Sequence, residues 1–364
     1  FLIKYNMNDN EINDKRAQKE FKGITFSNYK KSAAKKELLK YLKAGKIEDA
    51  CYWAIEFICA GHFLELWEIL FLFMSNNIHL GNPLLPSYMN LRFNDFKNIA
   101  NGGYIGNEIK MRNNNKIRRL FGEIICVICQ SKKKNSYDCV KIRDNEFSST
   151  HMSGRLKAES ILYAHNIFRH SDDPKELFIA INELAYHITK RQRNSNEAFY
   201  WVEWITGFEA LCKKNQKLKL VGGVRNYAVE NKYRNDIIWI IWDVILNEAN
   251  KRNKAINNIV DALSDLFCVR YQPGSKRKRK FMIYFAISLL TEAFDTKIPL
   301  LKNEEHIKKV TSKIDMIYKI IKKNEVKPAT DYLFNNSFTS GNLEKTIDKL
   351  DKMNKLTNMV PRNK

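Results

Sequence analysis

The segment from Lys46 to Met74 constrains the fold most, because its apolar pattern predicts two neighbouring helices. The apolar positions of its first part follow a helical period: Ala50, Cys51, Ala54, Ile55, Ile58 and Cys59. Gly61 is placed to end that helix. The run from Phe63 to Met74 is apolar on almost every side but too short to span a bilayer, so it predicts a buried second helix.

A second copy of this helical hairpin occurs later in the chain. Each copy holds an aromatic pair, then an acid, then a Trp-acid-aliphatic triplet. The residues are Tyr52-Trp53, Glu56 and Trp67-Glu68-Ile69 in the first copy, and Tyr200-Trp201, Glu203 and Trp242-Asp243-Val244 in the second. The second copy differs by a one-residue shift and by an insertion between its helices. Because a basic cluster before an apolar helix also recurs in both halves, the pattern predicts an internal duplication.

The composition favours an all-α fold of two related multi-helix lobes. Hydrophobic residues make up 44% of the 364 residues, and only 14 Gly and 7 Pro interrupt the chain, which excludes a disordered or fibrous protein. The Gly222-Gly223 pair in the insertion fits one small β-hairpin as an exception. The predicted segments are a basic arm (1–31), helical lobe A (32–135), an irregular connector (136–172), helical lobe B (173–300) and a Lys-rich helical C-terminal tail (301–364).

The charge balance predicts a polyanionic partner. Lys and Arg number 62 against 40 Asp and Glu, which gives a net charge of +22 and a pI near 9.5. This excess is larger than solubility requires, and it favours a nucleic acid, DNA rather than RNA. Seven cysteines on apolar segments predict free thiols in a reducing compartment.

The strongest functional signal is a run of cations that precedes a predicted apolar helix: Lys276, Arg277, Lys278, Arg279 and Lys280. Like charges repel one another, and cations oppose the dipole at a helix N-terminus, so this placement is unfavourable unless an anion binds there. A phosphate fits, because the start of a helix offers free N–H groups. The run is also compatible with a solvated loop or with a nuclear import signal.

A second basic cluster holds the corresponding place in the first half: Lys116, Arg118 and Arg119. If the halves are duplicates, the two clusters could flank one groove. We therefore predict that these eight residues contact the phosphate backbone.

Other chemistries have weaker support in the sequence. The acids Glu56, Glu68, Glu203 and Asp243 could serve acid-base or metal chemistry, but structural pairing is the favoured interpretation. Cys126 and Cys129 form a C-x-x-C that Cys139 and His151 could complete as a zinc site, although it lies in an apolar helical run where core packing is favoured. The tryptophans and tyrosines of the hairpins could stack bases, yet their spacing also favours the core. We predict no catalytic residue, metal or cofactor, since P-loop, nuclease and HExxH patterns are missing from the sequence.

The segments GKIEDACYWAIEFICAGHFLELWE, IHLGNP, GYIGNE, DPKELFIAINELAYHI and DIIWIIWDVI together resemble a family of proteins without an assigned function in nucleocytoplasmic large DNA viruses, of the mimivirus-like and chlorella-virus-like kinds. The resemblance runs from about Ala33 to Asp295. It implies a viral gene product that acts in genome replication, expression or packaging in a cytoplasmic factory, and it assigns no catalytic residue. A fainter resemblance, of IEDACYWAIEFICAG to the helical collar of clamp-loader-type ATPases, implies a protein-binding scaffold.

Two functions follow as expectations. The first is a non-enzymatic nucleic-acid-associated factor in viral replication or transcription. The alternative is a helical assembly protein of the replisome or the virion, in which the positive charge meets an acidic protein partner. Both place the chain in the host cytoplasm without a membrane partner, and the virion and the nucleus stay open as further locations.

Overall fold

The structure of the chain is a computed structural model, which describes residues 11–215, 218–295, 298–300 and 304–327. Its α-helices are α1 (Lys31–Ala44), α2 (Ile47–Cys59), α3 (Phe63–Phe73), α4 (Leu85–Asn101), α5 (Asn115–Gln130), α6 (Ser149–Ser153), α7 (Phe178–His187), α8 (Ser195–Asn215), α9 (Ile238–Asn250), α10 (Lys254–Cys268), α11 (Pro273–Thr291) and α12 (Glu304–Lys322). Within those ranges the only β contact is an isolated bridge between Ile24 and Lys30, so the predicted all-α class is confirmed. In the same ranges no helix combines the length and apolar character that crossing a bilayer requires.

The α2–α3 hairpin forms as its sequence predicts. Gly61 has a φ of 77°, a conformation that glycine adopts without a steric penalty. The N–H groups of Gly61 and His62 donate to the carbonyls of Ile58 and Phe57 at 3.0 and 2.9 Å, which closes α2 with a Schellman motif. Helix α3 then buries Trp67 completely. The rings of Phe71, Phe93 and Phe121 lie 5.4, 5.2 and 5.0 Å from the ring of Trp67, and burial of so much aromatic surface stabilises the first half.

The two halves share the order of their helices but not all of their packing. In both halves the first helix packs on the second, the second on the fifth, and the fourth on the fifth (α1 to α5, and α7 to α11). The third helices differ, because α3 packs on α2 and α11 whereas α9 packs on α7, α10 and α11. The internal duplication therefore stays a prediction, which the matching order of the helices supports.

One continuous hydrophobic core joins the halves. Helix α4 of the first half packs on α10 of the second, and α11 packs on α3 and on the segment after it, which winds as a π-helix over Met74–Ile78. The Arg279 side chain crosses this junction, because it reaches from α11 to Glu68 on α3. The halves are thus held together by apolar packing and by a charged contact within it.

The described part of the predicted basic arm is packed into the first half. Ile12, Phe21 and Phe26 are buried, and the N–H of Ile12 donates to the hydroxyl of Tyr318 on α12 at 3.0 Å. Helix α12, which was assigned to a Lys-rich tail, packs on α2 and α5. These apolar residues are too sparse to form a periodic pattern, which is why the sequence indicated a polar arm. The rest of the predicted Lys-rich helical tail, residues 301–303 and 328–364, lies outside the described residues.

The predicted β-hairpin at Gly222-Gly223 is wrong, because no strand forms on either side of the pair in the described residues. The insertion runs in extended form and bonds to the chain ahead of α9: the Gly222 N–H donates to the carbonyl of Asn235 at 2.9 Å. The reason is Arg225, which is 2% exposed and lies 2.7 Å from Asp173 and 2.5 Å from Asp243. A buried guanidinium needs both carboxylates to balance its charge. The insertion therefore bonds to the core and does not pair with itself as a hairpin.

His79 lies at the junction of the halves in an unusual environment. Its φ is 46°, and its fully buried ring stacks on Phe285 of α11 with 4.8 Å between the centroids. Burial, with a smaller effect of the Lys134 charge, lowers the pKa of His79 from 6.5 to about 4. The imidazole is therefore neutral in the folded protein at neutral pH.

We expect His79 to make the protein sensitive to acid. Between pH 6.5 and 4 the unfolded chain binds a proton at His79 that the folded chain does not, so this residue lowers the free energy of unfolding as pH falls through that range. His79→Phe keeps a stacked ring and removes the titration. From about pH 7 to 4.5 the wild type should lose about 2 kcal/mol more stability than the variant, measured by urea unfolding. Parallel pH profiles for the two proteins would contradict this account.

Candidate nucleic-acid interface

The predicted basic run forms the first turns of α11 and not a loop ahead of it. The helix begins at Pro273. The Gln272 N–H donates to the Ser275 hydroxyl at 3.3 Å, and the Ser275 N–H donates to the Gln272 carbonyl at 2.7 Å. Successive residues of an α-helix point about 100° apart. The five cations of the run are therefore distributed around the helix and meet different surroundings.

Lys276 and Lys280 lie one turn apart and face α8. The Lys276 Nζ lies 2.5 Å from Glu209 and 3.1 Å from Asp236, and the Lys280 Nζ lies 3.1 Å from Glu203. Burial would lower the pKa of Lys280, but hydrogen bonds and charge interactions with Cys139 and Glu203 raise it above its usual value. Both lysines are thus neutralised by carboxylates of the protein itself.

Arg279 points into the protein and is 4% exposed. Its Nε lies 3.1 Å from both carboxylate oxygens of Glu68, and its Nη2 bonds the same group. The Nη1 donates to the carbonyls of Phe267 and Val269 at 2.8 and 2.7 Å, at the end of α10. Because its charge and its donors are satisfied internally, Arg279 holds the halves together and is not available to a ligand.

The second cluster, at the start of α5, is divided in the same way. Arg118 is 6% exposed, donates to Asp315 at 2.9 Å and lies 4.0 Å over the ring of Tyr318, both on α12. Arg119 is 54% exposed and lies 3.6 Å from Asp315. Lys116 is exposed, and no ion pair involves it within the described residues. Since this cluster meets α12 while the other meets α8, the predicted shared groove stays a prediction.

The four acids of the hairpins make structural contacts. Glu56 is fully buried and accepts from the N–H and hydroxyl of Ser27 at 3.0 and 2.5 Å. Glu68 and Glu203 bind cations of α11, and Asp243 binds Arg225. These contacts are of the kind that structural pairing predicts.

The cysteines are all free thiols. Cys126 and Cys129 are buried in α5, whereas Cys139 is exposed beside Lys280 and the Nδ1 of His151 lies 3.0 Å from the hydroxyl of Ser148. The structure therefore does not bring the four candidate zinc ligands together. In the ranges that are described, no group of three or more potential metal ligands occurs.

Three exposed lysines that the sequence did not single out lie on segments that pack beside α11. Helices α8 and α11 run antiparallel, because Glu209 meets Lys276 while Glu203 meets Lys280. Lys213 and Lys214, one turn beyond Glu209 on α8, therefore lie toward the start of α11, and Lys141 follows Cys139, which bonds Lys280, by two residues. We call the five exposed residues the α11 basic surface: Arg277, Lys278, Lys213, Lys214 and Lys141.

None of these five residues has an ion pair with another described residue. In the sequence they belong to three segments, and Lys213 and Lys214 form only a short dipeptide. The sequence signal that could have pointed to Lys213 and Lys214 was the acid Glu209, one turn earlier on a predicted helix. Its partner, Lys276, could not be identified without the packing of α8 on α11. The candidate interface is therefore a product of tertiary structure.

No protein-family model, curated protein or solved structure matches the chain. The resemblance to a viral family accordingly stays a prediction.

Two arginines of α11 provide a matched test of the division between structural and exposed cations. Arg279→Ala leaves Glu68 and two carbonyls without their partner and should lower the free energy of unfolding by about 3 kcal/mol. Arg277→Ala, two residues earlier in the same helix, should change it by less than about 0.5 kcal/mol. Urea unfolding followed by circular dichroism measures both. Equal effects of the two substitutions would show that Arg279 does not stabilise the junction.

Proposed function

We propose that this chain is a non-enzymatic nucleic-acid-associated factor that binds the phosphate backbone through the α11 basic surface. The observation that carries the proposal is the contrast within one helix. Lys276, Arg279 and Lys280 have carboxylate partners inside the protein, whereas Arg277 and Lys278 are exposed and form no ion pair with any described residue. An external anion would supply the missing negative charge for Arg277 and Lys278.

The grouping of exposed cations supports a polymer over a single small anion. Exposed lysine or arginine lies on α11 and on two segments that pack beside it, and like charges held near one another repel. Duplex DNA presents one negative charge for about every 1.7 Å of its axis, and cations that neutralise several phosphates release condensed counterions. Contacts of this kind position a protein on the backbone but do not distinguish bases. Binding through this surface is therefore expected to tolerate many sequences.

The biological setting in this proposal rests on the resemblance to a family of large DNA viruses. That resemblance supports a role in viral genome replication or transcription in the host cytoplasm, with DNA as the preferred nucleic acid. The competing function is a helical assembly protein whose basic surface meets an acidic protein. It predicts weak binding to any nucleic acid, which is lost near physiological salt.

The double variant Arg277→Ala/Lys278→Ala tests the proposal. The dependence of log K on log salt should become less steep by up to about 1.8 for duplex DNA, since each lost phosphate contact removes about 0.9. Fluorescence anisotropy with a labelled duplex, a single strand and an RNA duplex, between about 50 and 200 mM salt, measures the slopes and the preferred nucleic acid.

The matched control is Lys308→Ala/Lys309→Ala, which removes the same charge from exposed positions on α12, a helix that packs on α2 and α5. The control should keep the wild-type slope. If both double variants reduce the slope equally, net charge and not the α11 basic surface drives binding. If neither variant changes it, the acidic-protein alternative is favoured.

A further inference from the structure

A hollow of about 630 Å³ lies between the connector and the first turns of α8. It is lined by Arg143, Asn145, Thr150, His151, Arg155 and Tyr200, among others. Its volume falls in the range of small-molecule sites. Arg143 in its wall follows Lys141 of the α11 basic surface by two residues, so the hollow and that lysine share one short stretch of the connector.

Arg155 is held flat at the wall of the hollow. Its guanidinium carbon lies 3.5 Å from the ring centroid of Tyr200, and the tyrosine ring is 4% exposed. The Nε and Nη2 of Arg155 each lie 3.0 Å from a carboxylate oxygen of Glu197. One face of the guanidinium is thus covered by Tyr200 and its edge is fixed by Glu197. The side chain remains 39% exposed, which leaves its other face open to the hollow.

Other groups in the wall suit an anion. The Arg143 side chain is exposed and has no ion pair among the described residues. The His151 ring uses Nδ1 toward Ser148 at 3.0 Å, which leaves Nε2 for a ligand. The acid in the wall, Glu146, accepts the Arg143 backbone N–H at 3.0 Å. The hollow therefore combines a flat cationic face with separate hydrogen-bond donors for a negative group.

We infer that this hollow binds one nucleotide unit, with the base stacked on the open face of Arg155 and the phosphate beside Arg143 and His151. Unpaired bases stack on arginine planes and aromatic rings in proteins that bind single-stranded nucleic acid. A simple anion would use the charges but not the flat face. The inference deepens the proposed function, on which it rests, because it assigns unpaired nucleotides as the part of the partner that enters the fold.

Isothermal titration calorimetry of the full chain with AMP, ribose 5-phosphate and inorganic phosphate tests the stack. AMP should bind more tightly than the two ligands without a base. Arg155→Lys keeps the charge but removes the flat group, so it should weaken AMP binding by about fivefold or more and leave phosphate binding unchanged. The control Arg191→Lys makes the same substitution at an exposed arginine outside the hollow and should bind AMP as the wild type does. Equal affinity for AMP and ribose 5-phosphate, or no effect of Arg155→Lys in a variant with a wild-type melting temperature, would overturn the inference.

Competition separates free nucleotides from nucleotides in a strand. If a single-stranded hexanucleotide displaces AMP, the bound nucleotide belongs to a strand. If AMP still binds in the presence of the hexanucleotide, the ligand is a free nucleotide. Both results support a nucleotide site in the hollow. The Arg277→Ala/Lys278→Ala variant should bind the hexanucleotide less tightly and AMP normally. If the protein does not bind AMP but binds the strand with the expected salt dependence, the nucleotide site is disproved and the phosphate-backbone function stands. If AMP binds normally but the Arg277→Ala/Lys278→Ala variant keeps the wild-type dependence of log K on log salt for the strand, only the phosphate-backbone function is disproved.

Discussion

The buried contact between Arg279 and Glu68 is the interaction on which the joining of the two halves depends. A guanidinium taken out of water is stable only when its charge is matched and its donors are used. Glu68 on α3 supplies the charge, and the carbonyls of Phe267 and Val269 at the end of α10 supply the remaining acceptors. One side chain therefore fixes α11 against elements of both halves, and the packing of α4 on α10 also joins the halves.

Helical geometry divides one basic run between internal ion pairs and exposed positions. Because neighbouring residues point about 100° apart, Arg279 faces the core while Lys276 and Lys280 face the carboxylates of α8. Arg277 and Lys278 are left at the surface. The inward cations tie α11 to α3 and α8 through ion pairs, so the helix presents the outward cations at defined positions. A charge that is already held in position loses less conformational entropy when a ligand binds, which favours binding.

The connector has a larger role than its irregular sequence indicates. Cys139 lies against Lys280, and Trp204 of α8 donates to the carbonyl of Glu146 at 3.0 Å. Residues 139–147 therefore lie along α8 and α11, and Lys141 and Arg143 belong to this stretch. The hollow at Arg143 places the flat face of Arg155 beside the same stretch. The proposed function and the inferred nucleotide site thus both involve the connector but depend on different side chains.

The sequence by itself determined the helical class, the α2–α3 hairpin and the structural character of its acids, because local periodicity reports which face of a helix is buried. It did not determine which cations are exposed, since Arg279 and its partner Glu68 are 211 residues apart and a charge pattern does not reveal a distant carboxylate. It did not reveal the packing of residues 11–31 for a related reason: Phe21 and Phe26 carry no period, and only their burial in the structure shows that they are core residues. The Gly222-Gly223 turn signal was local, and the two carboxylates around Arg225 overrode it. Tertiary structure thus decided the site, because long-range pairing of charges selects the cations that remain free for a partner.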